Sequence, residues 1–259
     1  MTNTFLSRPF FVFCFFVAGS LGLPFASAQD NPDVKEIISK HIKALGGADK
    51  LKSVKTVSAK GVMTMPGPAG EMEAEMEHYQ SGPKFLMVMN IPNMGEFRQG
   101  SDGKHYWSND PFSGARLLEG DQLAAVSQQH SQPFPALGWS EYDGELTVDG
   151  EADVDGKKCW KVIFKPKTGS PMTRYFDKDS GHVVKLDIKQ TGPGVEMEVE
   201  VFSEDIKQVN GISVPYKQIT SAPQGEMTLE FSEIKFNEKL PDEKFALPED
   251  IQKLVDEKK

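Results

Sequence analysis

Cysteine is nearly missing from this sequence: there are two in 259 residues, Cys14 and Cys159. No disulfide framework can be built on them, so the stability of the fold has to come from packing. Long apolar runs are missing too. The longest, Phe10 to Ala18, falls short of the roughly 20 residues that span a bilayer, so a stable membrane span is excluded. Positive charge is in deficit, with 29 Lys+Arg against 38 Asp+Glu. That balance argues against nucleic acid as a partner and against adhesion to anionic lipid surfaces, because both reward positive fields. Catalytic signatures are absent as well. There is no His-Glu-x-x-His, no Cys-x-x-Cys, no glycine-rich phosphate cradle and, beyond residue 28, no Gly-x-Ser-x-Gly elbow. The five histidines, His41, His78, His105, His130 and His182, show no metal-ligand spacing, although His78 and His105 lie on strand-like runs that could meet. Glu141 and Asp143 are spaced to form a carboxylate pair, but nothing near them in the sequence points to a raised pKa or a substrate. No catalytic residue, metal site or cofactor is therefore expected.

What is present starts with a leader. Arg8 precedes the apolar run, a Gly/Pro stretch breaks it, and Ala26-Ser27-Ala28 supplies the small-x-small pattern that a signal peptidase accepts. Residues 1–28 are expected to be a signal peptide cut after Ala28, and the product to be periplasmic or secreted. Phe11-Val12-Phe13 is too bulky for a lipidation box at Cys14. Residues 29–259 suit one large domain. Cys159 sits in the strand-like run Lys158 to Val162 and reads as a buried packing thiol.

Hydrophobic periodicity divides this domain. Val34, Ile37, Ile38, His41, Ile42 and Leu45 recur at helical spacing, Asp33 suits the start and Gly46-Gly47 the stop; a short second turn covers Ala48 to Val54. Beyond that the period changes to two. Met63 and Met65 share a face on one strand. Glu71, Glu73, Glu75 and Glu77 alternate with Met72, Ala74, Met76 and His78 on the next. Val195, Met197, Val199 and Val201 alternate with glutamates later, as do Met227, Leu229 and Phe231. This is the grammar of antiparallel strands with one wet and one buried face. The glutamates diverge along a straight strand, so they describe a solvated face rather than a calcium site. Parity slips between Phe231 and Ile234, which predicts a bulge or a strand end near Ser232-Glu233. Turn pairs at Gly82-Pro83, Asp102-Gly103, Asp149-Gly150, Asp155-Gly156, Asp179-Ser180-Gly181, Asn210-Gly211 and Gln224-Gly225 imply about ten or eleven strands in meander order. The fold class is mainly β (α+β): an unclosed antiparallel β-barrel with an N-terminal helix and a helical insert over its apolar face.

That insert is expected at about 119–142. Leu123 and Val126 lie on one helical side, and Phe134 and Leu137 follow around Pro133 and Pro135. These four are candidate lid residues, with the prolines as a stiff hinge or the whole insert as a fixed cover.

Methionine stands out. All eleven but Met1 lie in the mature chain, and most come early. Methionine is unbranched and polarisable, so binding surfaces that adapt to irregular partners overuse it, and cores do so too. Phe85 to Met89 is apolar on both faces, and large aromatics follow on the same strands. The candidate lining of an apolar cavity is Met63, Met65, Met72, Met76, Met87, Met89, Phe97, Trp107, Trp139, Trp160, Phe164 and Phe176.

Several segments carry a family resemblance: the Ile37 to Gly47 helix, Asp102 to Trp107, Asp110 to Arg116, Tyr175 to Val184 and Phe245 to Pro248. Together they resemble the periplasmic lipoprotein-carrier and lipoprotein-sorting (LolA/LolB-like) family over nearly all of the mature chain. The resemblance implies an open β-barrel lidded by helices, which holds acyl chains of lipid or lipoprotein. It also implies envelope transport or outer-membrane proteins as partners, and outer-membrane lipoprotein sorting as a role. Two other functions stay open on the sequence: an envelope protein-interaction or stress-sensor domain with no lipid cargo, and a hydrolase whose site has no recognised motif.

Overall fold

The computed structural model describes residues 32–67, 70–167, 170–192, 195–223 and 225–258. The expected signal peptide lies outside them. Helix α1 (Val34–Leu45) begins where the Asp33 carboxylate accepts from the Lys35 amide at 2.9 Å, and it ends at Gly46 with φ 125°. A Cβ at Gly46 would lie 2.4 Å from the Gly211 carbonyl oxygen, so only glycine allows this helix end to meet the sheet. Helix α2 (Ala48–Ser53) follows directly.

The remainder is one antiparallel sheet of thirteen strands. Strands β1 (Thr56–Gly67), β2 (Gly70–Ser81), β3 (Lys84–Ile91), β4 (Gly95–Ser101), β5 (Tyr106–Asp110) and β6 (Gly114–Leu117) form a first meander. The second meander is β7 (Gly144–Val154), β8 (Lys157–Pro166), β9 (Met172–Asp177), β10 (Val183–Gly192), β11 (Val195–Val209), β12 (Ile212–Ala222) and β13 (Gly225–Phe236). Pairing of β1 with β13 joins the two, and β6 and β7 remain as free edges. The barrel is unclosed, as expected. Thirteen strands replace the expected ten or eleven because β4, β5 and β6 are only seven, five and four residues long and show little alternation.

Turn chemistry explains most connections. Asp155-Gly156 and Asn210-Gly211 both have two consecutive residues at positive φ, the two-residue hairpin geometry that matches strand twist. Asp149-Gly150 is a correction: it lies inside β7, where the register shifts between Val148 and Glu151, so it is a bulge and not a turn. The bulge foreseen near Ser232 is present. Lys60 pairs with Glu233 and Gly61 with Phe231, and the extra Ser232 hydroxyl donates to the Lys60 carbonyl at 3.3 Å.

Apolar side chains pack on both faces. On the inner face, α1 sets Ile37 against Val162, Phe164 and Phe176, and α2 sets Leu51 against Ile212 and Phe236. On the outer face, Tyr79, Leu86 and Trp107 lie under Phe245 and Ile251 of a C-terminal segment that ends in α4 (Glu249–Glu257). This explains the run that is apolar on both faces: Phe85, Met87 and Met89 point inward, and Leu86 and Val88 point outward beneath α4. Removing the Ile251 side chain, 0 % exposed, leaves a cavity there; Ile251→Ala is expected to cost about 2–4 kcal/mol in urea unfolding. Cys159 is also 0 % exposed and burial raises its pKa to about 11, so Ellman's reagent should react with the chain lacking residues 1–28 only after denaturation.

Candidate functional site

Strand register decides which side chains share the inner face. Met65 pairs with Met72, Gly61 with Met76, Met76 with Met89, His78 with Met87, and Met89 with Phe97. Across the β1–β13 junction Met63 pairs with Leu229, and Met227 pairs with Thr220 on β12. Val201 and Val199 on β11 pair with Leu186 and Ile188 on β10. The result is a strip of methionines and aliphatic side chains running from β4 to β10 on the end of the inner face away from α1. Gln218 and Thr220 interrupt it on β12. Of the methionines named, only Met76 is fully buried; the others keep part of their surface exposed. Phe112, 71 % exposed in the β5–β6 turn, sets its ring 5.9 Å from that of Phe97 at the rim, tilted by 53°.

The candidate lining chosen from sequence thus separates into three groups. Met63, Met65, Met72, Met76, Met87, Met89 and Phe97 lie together on this strip. Trp139, Trp160, Phe164 and Phe176 lie on the inner face too, but they pack on one another and on α1. The ring of Trp139 lies 5.2 Å from Phe164 and 6.0 Å from Phe176, and the latter two are 0 % and 1 % exposed. Trp107 is on the opposite face. It pairs with Gly100, where a Cβ would meet its indole at 2.7 Å, so glycine makes room for the ring beneath α4.

Sequence reasoning left out Leu186, Ile188, Val199, Val201, Leu229 and Phe231. Their alternation was visible. What placed them beside the methionines is the β1–β13 pairing, which joins residues far apart in the chain.

The insert, with α3 (Gly120–Gln129) and a 3₁₀ segment (Pro135–Glu141), runs from edge strand β6 to edge strand β7. Phe134 and Leu137 pack on the Phe236 cluster, with Phe134 5.7 Å from the Phe236 ring. Leu123 and Val126 are half-buried and lie outside the four packed clusters. Histidines hold the insert at its middle and near its second end. His130 stacks 3.7 Å from Phe85, and Gln80 donates to its carbonyl at 2.9 Å. His41 stacks 5.4 Å from Trp139 and donates from Nδ1 to the Gly181 carbonyl. His78 meets His130 rather than His105, which sits 3.1 Å from Asp102. Among the described residues no group of three or more His, Cys, Asp or Glu could hold a metal ion, and no helix is long and apolar enough to cross a membrane.

One charge sits within this apolar face. Arg174 on β9 pairs with Val162 and Leu186, and its guanidinium lies 4.1 Å from the centre of the Phe164 ring and 4.5 Å from that of Trp139. Burial lowers its pKa to about 10, so it is charged at neutral pH.

An open antiparallel half-barrel, helix-packed at one end and methionine-lined at the other, defines a class of sheet proteins with an accessible apolar inner face. Solved structures share its fold. A DUF1329 family protein from Desulfovibrio piger aligns with a TM-score of 0.58 at 14% identity, over 83% of this chain and 98% of that one. An outer membrane lipoprotein-sorting protein domain from Vibrio parahaemolyticus gives 0.57 at 13%, over 82% and 95%. A LolA superfamily protein from Nitrosomonas europaea gives 0.58 at 13%, over 82% and 97%. No family model matches the sequence, and no curated protein matches it. The chain has a LolA-like fold.

Burial holds both His41 and His130 at a pKa of about 4 and lowers that of His78 and His182. The unfolded chain takes up these protons near pH 6.5 and the folded chain does not, so stability present above pH 6.5 is lost as pH falls toward 4. Each fully buried histidine contributes up to about 1.4 kcal/mol per pH unit in that window. The urea midpoint should therefore be lower at pH 5 than at pH 7, and His130→Gln should shrink the difference.

Proposed function

We propose that this protein is a non-enzymatic carrier of the cell envelope that holds an apolar ligand, the acyl chain of a lipid or lipoprotein, against its inner face. The observation that carries this reading is the half-exposed strip of Met63, Met65, Met72, Met87, Met89 and Phe97 with Leu229 and Ile188 across the junction. A core would bury these side chains, whereas here they keep part of their surface exposed. Each methylene moved from water onto such a surface contributes roughly 0.8 kcal/mol, so a long chain supplies on the order of 10 kcal/mol gross. Ordering costs remove much of that, which leaves binding tight enough to hold a cargo and weak enough to release it. The small-x-small site at Ala28 supports export, and the similarity to a lipoprotein-sorting domain supports the ligand class. Outer-membrane sorting, with envelope transport or outer-membrane proteins as partners, is the finer form of this proposal. An envelope interaction or sensor domain is the second reading, favoured by the free backbone edges of β6 and β7, which offer strand pairing to a partner.

An environment-sensitive fatty probe such as cis-parinaric acid should bind the purified chain. Met65→Gln and Met89→Gln should weaken that binding several-fold, and Val62→Gln on the outer face should leave it unchanged. No probe binding, together with no lipid co-purifying in native mass spectrometry, would sink the carrier proposal.

A further inference from the structure

On the inner face two polar groups without partners border one ring. The Nη1 atom of Arg174 is sealed from solvent with no hydrogen-bond partner, and so is the hydroxyl of Tyr142. Arg174 stacks on Phe164, and Tyr142 meets that same ring edge-on at 5.5 Å. Among the described residues the structure gives Arg174 no carboxylate partner, while most other basic side chains on the sheet, from Lys60 to Lys235, have one. A cation and a phenol left unsatisfied in an apolar face are costly, and each such group calls for an explanation.

Their position suggests one. The rung of the sheet that holds Arg174 continues through Leu186, Val201 and Thr220 to Met227, and so onto the apolar strip. On one side of this rung lies Phe176 and on the other Phe164 with Met172, all of one packed cluster, while Ile188 on β10 lies beyond it. Arg174 therefore stands on the last strand of the packed cluster, where its rung passes to Leu186 and Val201 of the strip. A guanidinium and a phenol O–H are both donors, and an anionic oxygen satisfies both.

We infer that Arg174 and Tyr142 form the head-group site of the carrier, taking the anionic carboxylate or phosphate of an amphiphile whose acyl chain lies along the strip. This inference rests on the proposed function and narrows its ligand to an acidic lipid. Across the sheet, the five strand spacings from β9 to β1 measure roughly 24 Å, so head group and tail would engage distant residues.

The test compares cis-parinaric acid with its methyl ester on the chain lacking residues 1–28. The free acid is expected to bind at least tenfold more tightly than the ester. Arg174→Met should remove that preference with ester binding unchanged, Arg174→Lys should keep much of it, and Tyr142→Phe should lower acid binding two- to threefold. Tyr142→Phe preserves the ring packing, so it reports on the site even if Arg174→Met fails to fold. Displacement of the probe by palmitate or by 1-palmitoyl lysophosphatidate ranks carboxylate against phosphate, and preference for either over the ester supports the site. Equal binding of acid and ester by the unaltered chain would overturn the head-group inference and leave the carrier standing. Absence of binding by both would overturn the two together.

Discussion

The pairing of β1 with β13 is the constraint on which the rest of this structure depends. Without it the chain is two separate meanders, each with two exposed edges. With it, Met63 comes beside Leu229 and Val57 beside Phe236. The methionines of the first half then continue into the valines and isoleucines of the second, and the two remaining edges lie at the ends that the insert connects. Closing so long a loop is costly in chain entropy. Packing at its upper end offsets that cost, where Phe236 meets α2 and Phe134.

The inner face is divided in two. On β8 and β9, beneath α1 and the insert, the side chains are aromatic and mutually packed, with Phe164 and Phe176 shut off from solvent; from β10 across the junction to β4 they are mostly unbranched or aliphatic and half-exposed. Rigid rings suit a site filled once by known partners, because their few torsions lose little entropy and their edges interlock. Methionine suits a site filled by something variable. The outer face makes the converse use of its residues. Exposed Glu71, Glu73 and Glu75 keep one part wet, and α4 covers the part around Trp107.

Several features could be read directly from the chain because they are local. The cap at Asp33, the stop at Gly46, the hairpins at Asp155-Gly156 and Asn210-Gly211 and the slip at Ser232 each depend on a few neighbouring residues. The burial of Cys159 followed from its strand alone. Asp149-Gly150 misled because a bulge and a turn use the same positive φ, and only the partner strand tells them apart. Trp107 misled for a related reason. An aromatic on a short strand carries no mark of its face, and the covering element, α4, comes from the far end of the chain.

Sequence by itself determined that this protein would be a β-rich meander with one helix before it, an acidic wet face and a methionine-rich apolar one, since turn propensity and two-residue periodicity act between near neighbours. Tertiary structure alone decided which apolar side chains became core and which remained open. It also set the methionine strip beside strands more than a hundred residues away, and brought Arg174 and Tyr142 to the same ring. Those outcomes turn on register and on which helix lies over which rung, and both follow from pairings between distant segments whose partners no local pattern names.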